Sequence, residues 1–219
     1  MYNNFSFITF EGIEGCGKTT QVVLLKGYLE AKGYKVITTR EPGGTELGEK
    51  IRQILLNSNS ENITSWTEIF LYEACRAQIV KEIIKPALEH GRIVICDRYI
   101  DSTTAYQGYG KGLDLESVHR INSLASQGIT PDLTFAIDLK PEVGLKRAWA
   151  RINNIKTTER EDRFEREGIE FHKQVREGYL KMAEKEPERI KVVDGDRDID
   201  SIHREICGIV AKKLETAKG

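Results

Sequence analysis

The sequence predicts an α/β fold in three layers: a parallel sheet of about five strands with helices on both faces, built as one domain of 219 residues. Short β-rich runs alternate with longer helix-forming stretches along the whole chain, the pattern of βαβ units joined by right-handed crossovers. Residues 93–96 (IVIC) are continuously apolar, as in a parallel strand buried on both faces. A glycine-rich turn separates the first strand from the first helix.

Residues 5–10 (FSFITF) form the first strand and run into that turn. Residues 19–32 have helical composition and stop at Gly33, a good C-terminal cap. Residues 35–39 read as a strand and 45–56 as a helix. A long helix over 67–90 closes at Gly91, ahead of the 93–96 strand. Residues 102–110, with Gly108 and Gly110, read as a loop or an irregular helix start. Asp114 caps a helix reaching about Ser126. Residues 133–139 (LTFAIDL) form another buried strand, and Pro141 opens the next helix, where proline suits the first turn. Residues 153–166 break the rhythm with polar and charged side chains. A helix resumes near Glu165 and runs to about Lys185, followed by a strand at 190–193 and a helix at 199–214.

Composition narrows the function. Hydrophobic residues are 39% and charged residues 31%, as in soluble globular chains. No apolar run approaches the roughly 20 residues that span a bilayer. The N-terminal stretch lacks the basic region of a secretory signal. A net charge of −1 argues against a nucleic-acid partner. Cys16, Cys75, Cys96 and Cys207 lie far apart, which suggests reduced thiols in a cytoplasmic protein. His90, His119, His172 and His203 form no metal-ligand pattern and read as ordinary surface or helix residues.

The chemistry begins at Gly12-Ile13-Glu14-Gly15-Cys16-Gly17-Lys18-Thr19, which fits G-x-x-x-x-G-K-[ST]. Glycines let backbone N–H groups turn inward around phosphate oxygens. The following helix points its positive end at the same anion. Lys18 reaches the β- and γ-phosphates, and the Thr19 hydroxyl can ligate Mg²⁺. A strand before the loop and a helix after it supply the context this P-loop requires, so a P-loop NTPase fold is expected. No Asn-Lys-x-Asp segment is present, which weakens a GTPase reading.

Glu14 sits inside this loop, where a carboxylate is repelled by a triphosphate. Either it turns to solvent or it has a compensating task, such as accepting a hydrogen bond from a substrate hydroxyl. Asp97 and Arg98 follow the IVIC strand, at the strand end where open parallel sheets bind ligands. Asp97 can orient metal-bound water and Arg98 offers a planar fork for phosphate; the alternative is a structural ion pair. Tyr72 and Arg76, four residues apart, share a helix face. They form either a surface cation–π pair or an aromatic plane and fork for a flat base. Ser102, Tyr106 and Gln107 follow Arg98 closely, and residues 40–45 (REPGGT), with Glu41 and Pro42, follow the second strand to the same edge. Arg147, Arg151, Arg160, Arg163 and Arg166 lie in or beside the polar insert, about 151–166. Most would form a solvated face; one or two on a mobile lid would neutralise transition-state charge.

The segments FEGIEGCGKTT, TREPGGT, FLYEACRAQ, IKPAL, CDRYIDSTTAYQG, PDLTFAIDL and PEVGLKRA, in this order and spacing, resemble the thymidylate kinase family over nearly the whole chain. The resemblance implies transfer of the ATP γ-phosphoryl to dTMP with Mg²⁺, for dTTP synthesis. Residues Gly12 to Thr20 and Arg147 would hold ATP, and Thr19 and Asp97 the metal, Asp97 through water. Tyr72 would stack on thymine, Arg76 would hydrogen-bond the base, and Arg98 would hold the acceptor phosphate. Glu14 would meet the 3′-hydroxyl, Tyr106 would crowd the 2′ position, and Glu41, Pro42, Ser102 and Gln107 would complete the pocket. Some members carry a basic residue in the P-loop; here that position is Gly15, as in the bacterial type whose lid supplies the arginine. Arg151 sits at that place, with Arg163 in a matching context, so Lys18, Glu14, Arg98, Arg151 and Arg163 form the expected catalytic set. The family also implies a homodimer joined through helices including the one that carries Tyr72. Another nucleoside or nucleoside-monophosphate kinase, or a non-catalytic ATP switch, are the alternative readings.

Overall fold

A computed structural model describes residues 5–57, 63–154 and 161–216. Five strands form one parallel sheet in the order β2-β3-β1-β4-β5. They are β1 (Phe7–Glu11), β2 (Val36–Arg40), β3 (Ile93–Asp97), β4 (Leu133–Asp138) and β5 (Ile190–Asp194). Register is continuous across the centre, with Phe10 opposite Asp97 of β3 and Phe135 of β4.

Period-two alternation splits β1 between two layers. Ile8 and Phe10 pack with Leu25 and Leu29 of α1 (Lys18–Ala31) and Ile206 of α9 (Ile199–Thr216). Phe7 packs with Val94, Cys96, Ile79 and Ile84 on the other side. That second face turns polar towards its carboxyl end, where Thr9 and Glu11 are fully buried. Thr9 pairs with Thr134 at 2.7 Å, and Thr134 donates to Asp101, which Arg189 holds at 2.7 and 2.8 Å. The polar strip lies beneath the cleft described below.

The remaining helices are α2 (Glu46–Leu56), α3 (Ser65–Ile79), α4 (Lys85–Glu89), α5 (Ile100–Thr103), α6 (Leu115–Ala125), α7 (Pro141–Asn153) and α8 (Ile169–Lys185). Thr45 and Asp114 cap α2 and α6 by accepting from Gly48 and Ser117 amides.

Two expectations are corrected. The long 67–90 helix starts earlier, at Ser65, and is α3 and α4 joined by a π-helical turn over Val80–Ile84. Pro86 lacks an N–H and would clash with a carbonyl one turn back, and the wider turn just before it relieves that conflict. Over residues 101–110 the irregular-helix reading holds: α5 continues into a second π-helical stretch, Thr104–Gly110. The helix expected near Glu165 begins at Ile169.

Candidate active site

Because β1 and β3 are neighbours, the loop after β1 and the Asp97-Arg98 pair leave the sheet side by side. They open one cleft of about 560 Å³ that runs from Lys18 and Thr19 to Tyr72, Arg76 and Gln107, within the range of small-molecule sites.

At one end lies the phosphate cradle. Gly15 has φ +69° and a Cβ there would stand 2.1 Å from the Gly144 carbonyl oxygen, so the loop and α7 touch backbone to backbone. Lys18 donates to the carbonyls of Gly12 (2.9 Å) and Ile13 (2.8 Å), which holds its ammonium against the loop. Thr19 Oγ1 donates to Asp97 Oδ2 at 2.6 Å. These are hard oxygen donors at an exposed edge, a set that fits Mg²⁺. Thr20 is exposed. Arg147 donates to the Gly195 carbonyl at 3.3 Å and reaches Asp196 at 3.5 Å, outside the cleft lining.

Glu14 faces inward. Tyr106 OH donates to its Oε1 at 2.5 Å, Arg98 Nη2 at 3.0 Å, and His172 Nδ1 lies 3.3 Å from Oε2. Burial pushes this carboxyl up, but the neighbouring His172 ring, the charges of Arg98 and Lys18, and the Tyr106 hydroxyl outweigh it and hold it at about 2. It is therefore an anion at neutral pH and can only accept hydrogen bonds. Arg98 has φ +70°, sparsely populated for a residue with a Cβ. Its guanidinium also donates to the Gly12 carbonyl (3.0 Å) and Ser102 Oγ (3.3 Å), and lies 4.9 Å from the Tyr106 ring centroid.

Glu11 supports this turn from below. It accepts from the Tyr99 amide (2.7 Å), Ser102 Oγ (2.5 Å) and Tyr179 OH (2.9 Å). Burial, reinforced by the charge of Asp101, pushes its carboxyl up to about 7.

At the other end Tyr72 is half-buried, 6.4 Å from the Phe164 ring. Arg76 is 1% exposed. Its Nε and Nη2 donate to Glu41 Oε2 at 3.0 and 2.6 Å, and its Nη1 to Glu73 and to Asn122 at 2.7 Å. Burial opposes its charge, yet Glu41 and Glu73 outweigh burial and keep it protonated. Most of its donors are thus committed to protein groups. Pro42 lines the cleft, and Gln107 Nε2 donates to Glu68 at 2.8 Å.

The arginines of the insert separate by position. Arg151 lies in the last turn of α7, lines the cleft, is 62% exposed in its side chain and lies 3.8 Å from Glu165. Arg163 does not line the cleft; it pairs with Glu68 at 2.5 Å and donates to the Leu55 carbonyl. Those contacts anchor the insert to α2 and α3. Arg166 pairs with Asp162 at 2.9 Å. Arg160, and the first part of the insert at 155–160, lie outside the described residues.

His172 is a further correction. It is a helix residue, but fully buried beside Glu14 rather than on the surface. On α8 it falls in register with the buried Val175, Tyr179 and Met182, and that apolar stripe was the signal for its burial. Glu11 was signalled by a carboxylate ending an apolar strand, and Glu68 by sharing one helix face with Tyr72 and Arg76.

The chain matches a family model described as thymidylate kinase over residues 10–206. It is 53% identical over 208 residues to a curated thymidylate kinase of Geotalea daltonii, covering 95% of this chain and 97% of that one. It is 51% identical over 213 residues to one of Maridesulfovibrio salexigens, covering 97% of each. Its structure is similar to the crystal structure of thymidylate kinase from Ehrlichia chaffeensis, with a TM-score of 0.75, 38% identity and coverage of 94% and 98%. A P-loop, an inward-facing loop carboxylate and a single cleft joining them to an aromatic wall agree with these likenesses, and the chain belongs to the thymidylate kinase family.

Proposed function

We propose that this chain transfers the γ-phosphoryl of ATP to dTMP, with Mg²⁺, giving dTDP and ADP. The observation that carries the reading is Glu14: an anion in the phosphate loop, turned into the cleft and held by Tyr106 and Arg98. Such a group accepts a sugar hydroxyl, and Tyr106 beside it leaves little room for a second one.

Gly12 to Thr20 and Arg147 would hold ATP. Thr19 and Asp97 would hold Mg²⁺, which supplies positive charge to the phosphates when bound. Tyr72 would stack on thymine, with Gln107, Glu41 and Pro42 framing the base end and Arg76 offering its remaining donor. Arg98 and Ser102 would meet the acceptor phosphate and sugar. That phosphate is already ionised at neutral pH, so transfer needs positioning and charge neutralisation rather than a strong base. Lys18, Arg98 and Arg151 provide the charge.

A nucleoside kinase must deprotonate a neutral 5′-hydroxyl. Glu14, held at about 2, is far too acidic for that task, since a general base works best near the operating pH. ADP release with dTMP, dUMP, UMP, CMP and thymidine as acceptors tests the reading. dTMP should give the highest kcat/KM, and preference for thymidine or a ribonucleotide would overturn it.

We further infer a cytoplasmic homodimer. The four cysteines are unpaired, and Trp66 and Phe70 on α3 are 43% and 56% exposed, an apolar face suited to a second copy. Sedimentation velocity showing a monomer at micromolar concentration would overturn the dimer.

A further inference from the structure

Glu68 stands one turn before Tyr72 on α3 and is fully buried. A carboxylate in such a place is costly unless paired. Here its Oε1 accepts from Gln107 Nε2 at 2.8 Å, and its Oε2 lies 2.5 Å from Arg163 Nη2. One partner lines the cleft, and the other precedes Phe164 and Glu165, which also line it. By accepting from Gln107 Nε2, Glu68 also sets which end of that amide faces the ligand.

The contacts continue beyond Arg163. Its amide donates to the Leu56 carbonyl at 3.3 Å. Phe164, the next residue, packs edge-on to Tyr106 at 5.4 Å. Glu165 follows, 3.8 Å from Arg151. A continuous path thus runs from the base-end amide through Glu68 to the exposed Arg151.

We propose that Glu68 is a positioning residue: it couples a base seated against Gln107 to the placement of residues 161–167, and through them of Arg151. The proposal rests on the dTMP reading above. When the base end fills, Gln107 and Glu68 hold Arg163, and Phe164 and Glu165 are set with it. Without Glu68, acceptor can bind, but the arginine is no longer placed by that binding.

The test uses the full-length chain as wild type, E68Q, R163Q and the double variant. Two readouts are followed: steady-state kinetics with dTMP, and amide hydrogen exchange of residues 161–167 with and without dTMP. In wild type, dTMP alone should slow that exchange. In E68Q the slowing should be lost and kcat at saturating dTMP should fall about tenfold, with a smaller change in KM. The double variant should be no slower than the slower single, because both remove one link. A structural role alone would lower Tm in E68Q while leaving the exchange response and kcat in place. The proposal is overturned if E68Q keeps dTMP-dependent slowing with kcat within about twofold, or if the two single losses multiply in the double variant. Should E68Q not fold, R163Q removes the same pair from the side of the insert and is read by the same criteria. An active wild type with an uncoupled Glu68 sinks this proposal alone; a wild type with no dTMP-dependent ADP release sinks the dTMP reading itself.

Discussion

Replacing Glu14 by glutamine changes one charge and almost no volume. In the native site the carboxylate accepts from Tyr106 at 2.5 Å and Arg98 at 3.0 Å, and it would accept the 3′-hydroxyl of dTMP. A hydrogen bond to a charged group contributes about 1.5–3 kcal/mol. At about 1.4 kcal/mol per factor of ten, its loss lowers kcat/KM for dTMP by about 10- to 150-fold. Comparing dTMP with its 3′-deoxy analogue in both proteins isolates the contact. Wild type should favour dTMP by that factor, and in Glu14→Gln the preference should shrink towards unity. The assay is coupled ADP release at saturating ATP. An undiminished preference in the variant would show that Glu14 does not meet the sugar, and the acceptor pose would have to be abandoned.

Arg151→Ala should cut kcat by about 10³–10⁵, the range for arginines in related phosphoryl transfers, with dTMP affinity nearly unchanged; near-normal turnover would move the role to another arginine. Glu165→Gln should raise stability in alkaline solution. Burial and the charge of Glu14 push this carboxyl from 4.5 up to about 7, so its contribution is fully present below 4.5 and is lost as pH rises through 7. The variant should gain on the order of 2 kcal/mol at pH 8 and little at pH 4.5 in urea melts; a pH-independent difference would argue against the assignment. Gly15→Ala should cost about 2–4 kcal/mol, because the new methyl meets the Gly144 carbonyl at 2.1 Å in a left-handed backbone. An unfolding midpoint within error of wild type would mean that the loop and α7 are not so tightly packed.

Much of this was legible in the chain because it is local. Five strands, the glycine loop and the cap at Asp114 are each written in a few adjacent residues. Arg98, Glu14 and Tyr106 converge as expected because strand order places the ends of β1 and β3 together. What escaped depends on partners far along the chain. Arg163 looks like any lid arginine until Glu68, 95 residues earlier, is seen to hold it. Arg76 looks free until Glu41 and Asn122 arrive from two other segments. His172 is polar by type, and its burial follows from the face of α8 that packs over the loop. The π-helical turn before Pro86 needs a helix strong enough to absorb a proline rather than end at it.

The central claim is that the cleft takes a nucleotide whose phosphate is already the nucleophile. Initial rates of ADP release with dTMP and with thymidine, at equal concentration and saturating ATP and Mg²⁺, test it most directly. The account predicts fast, saturable release with dTMP and a rate near background with thymidine. Comparable rates with thymidine would contradict it, because transfer would then not depend on an acceptor whose phosphate is already ionised.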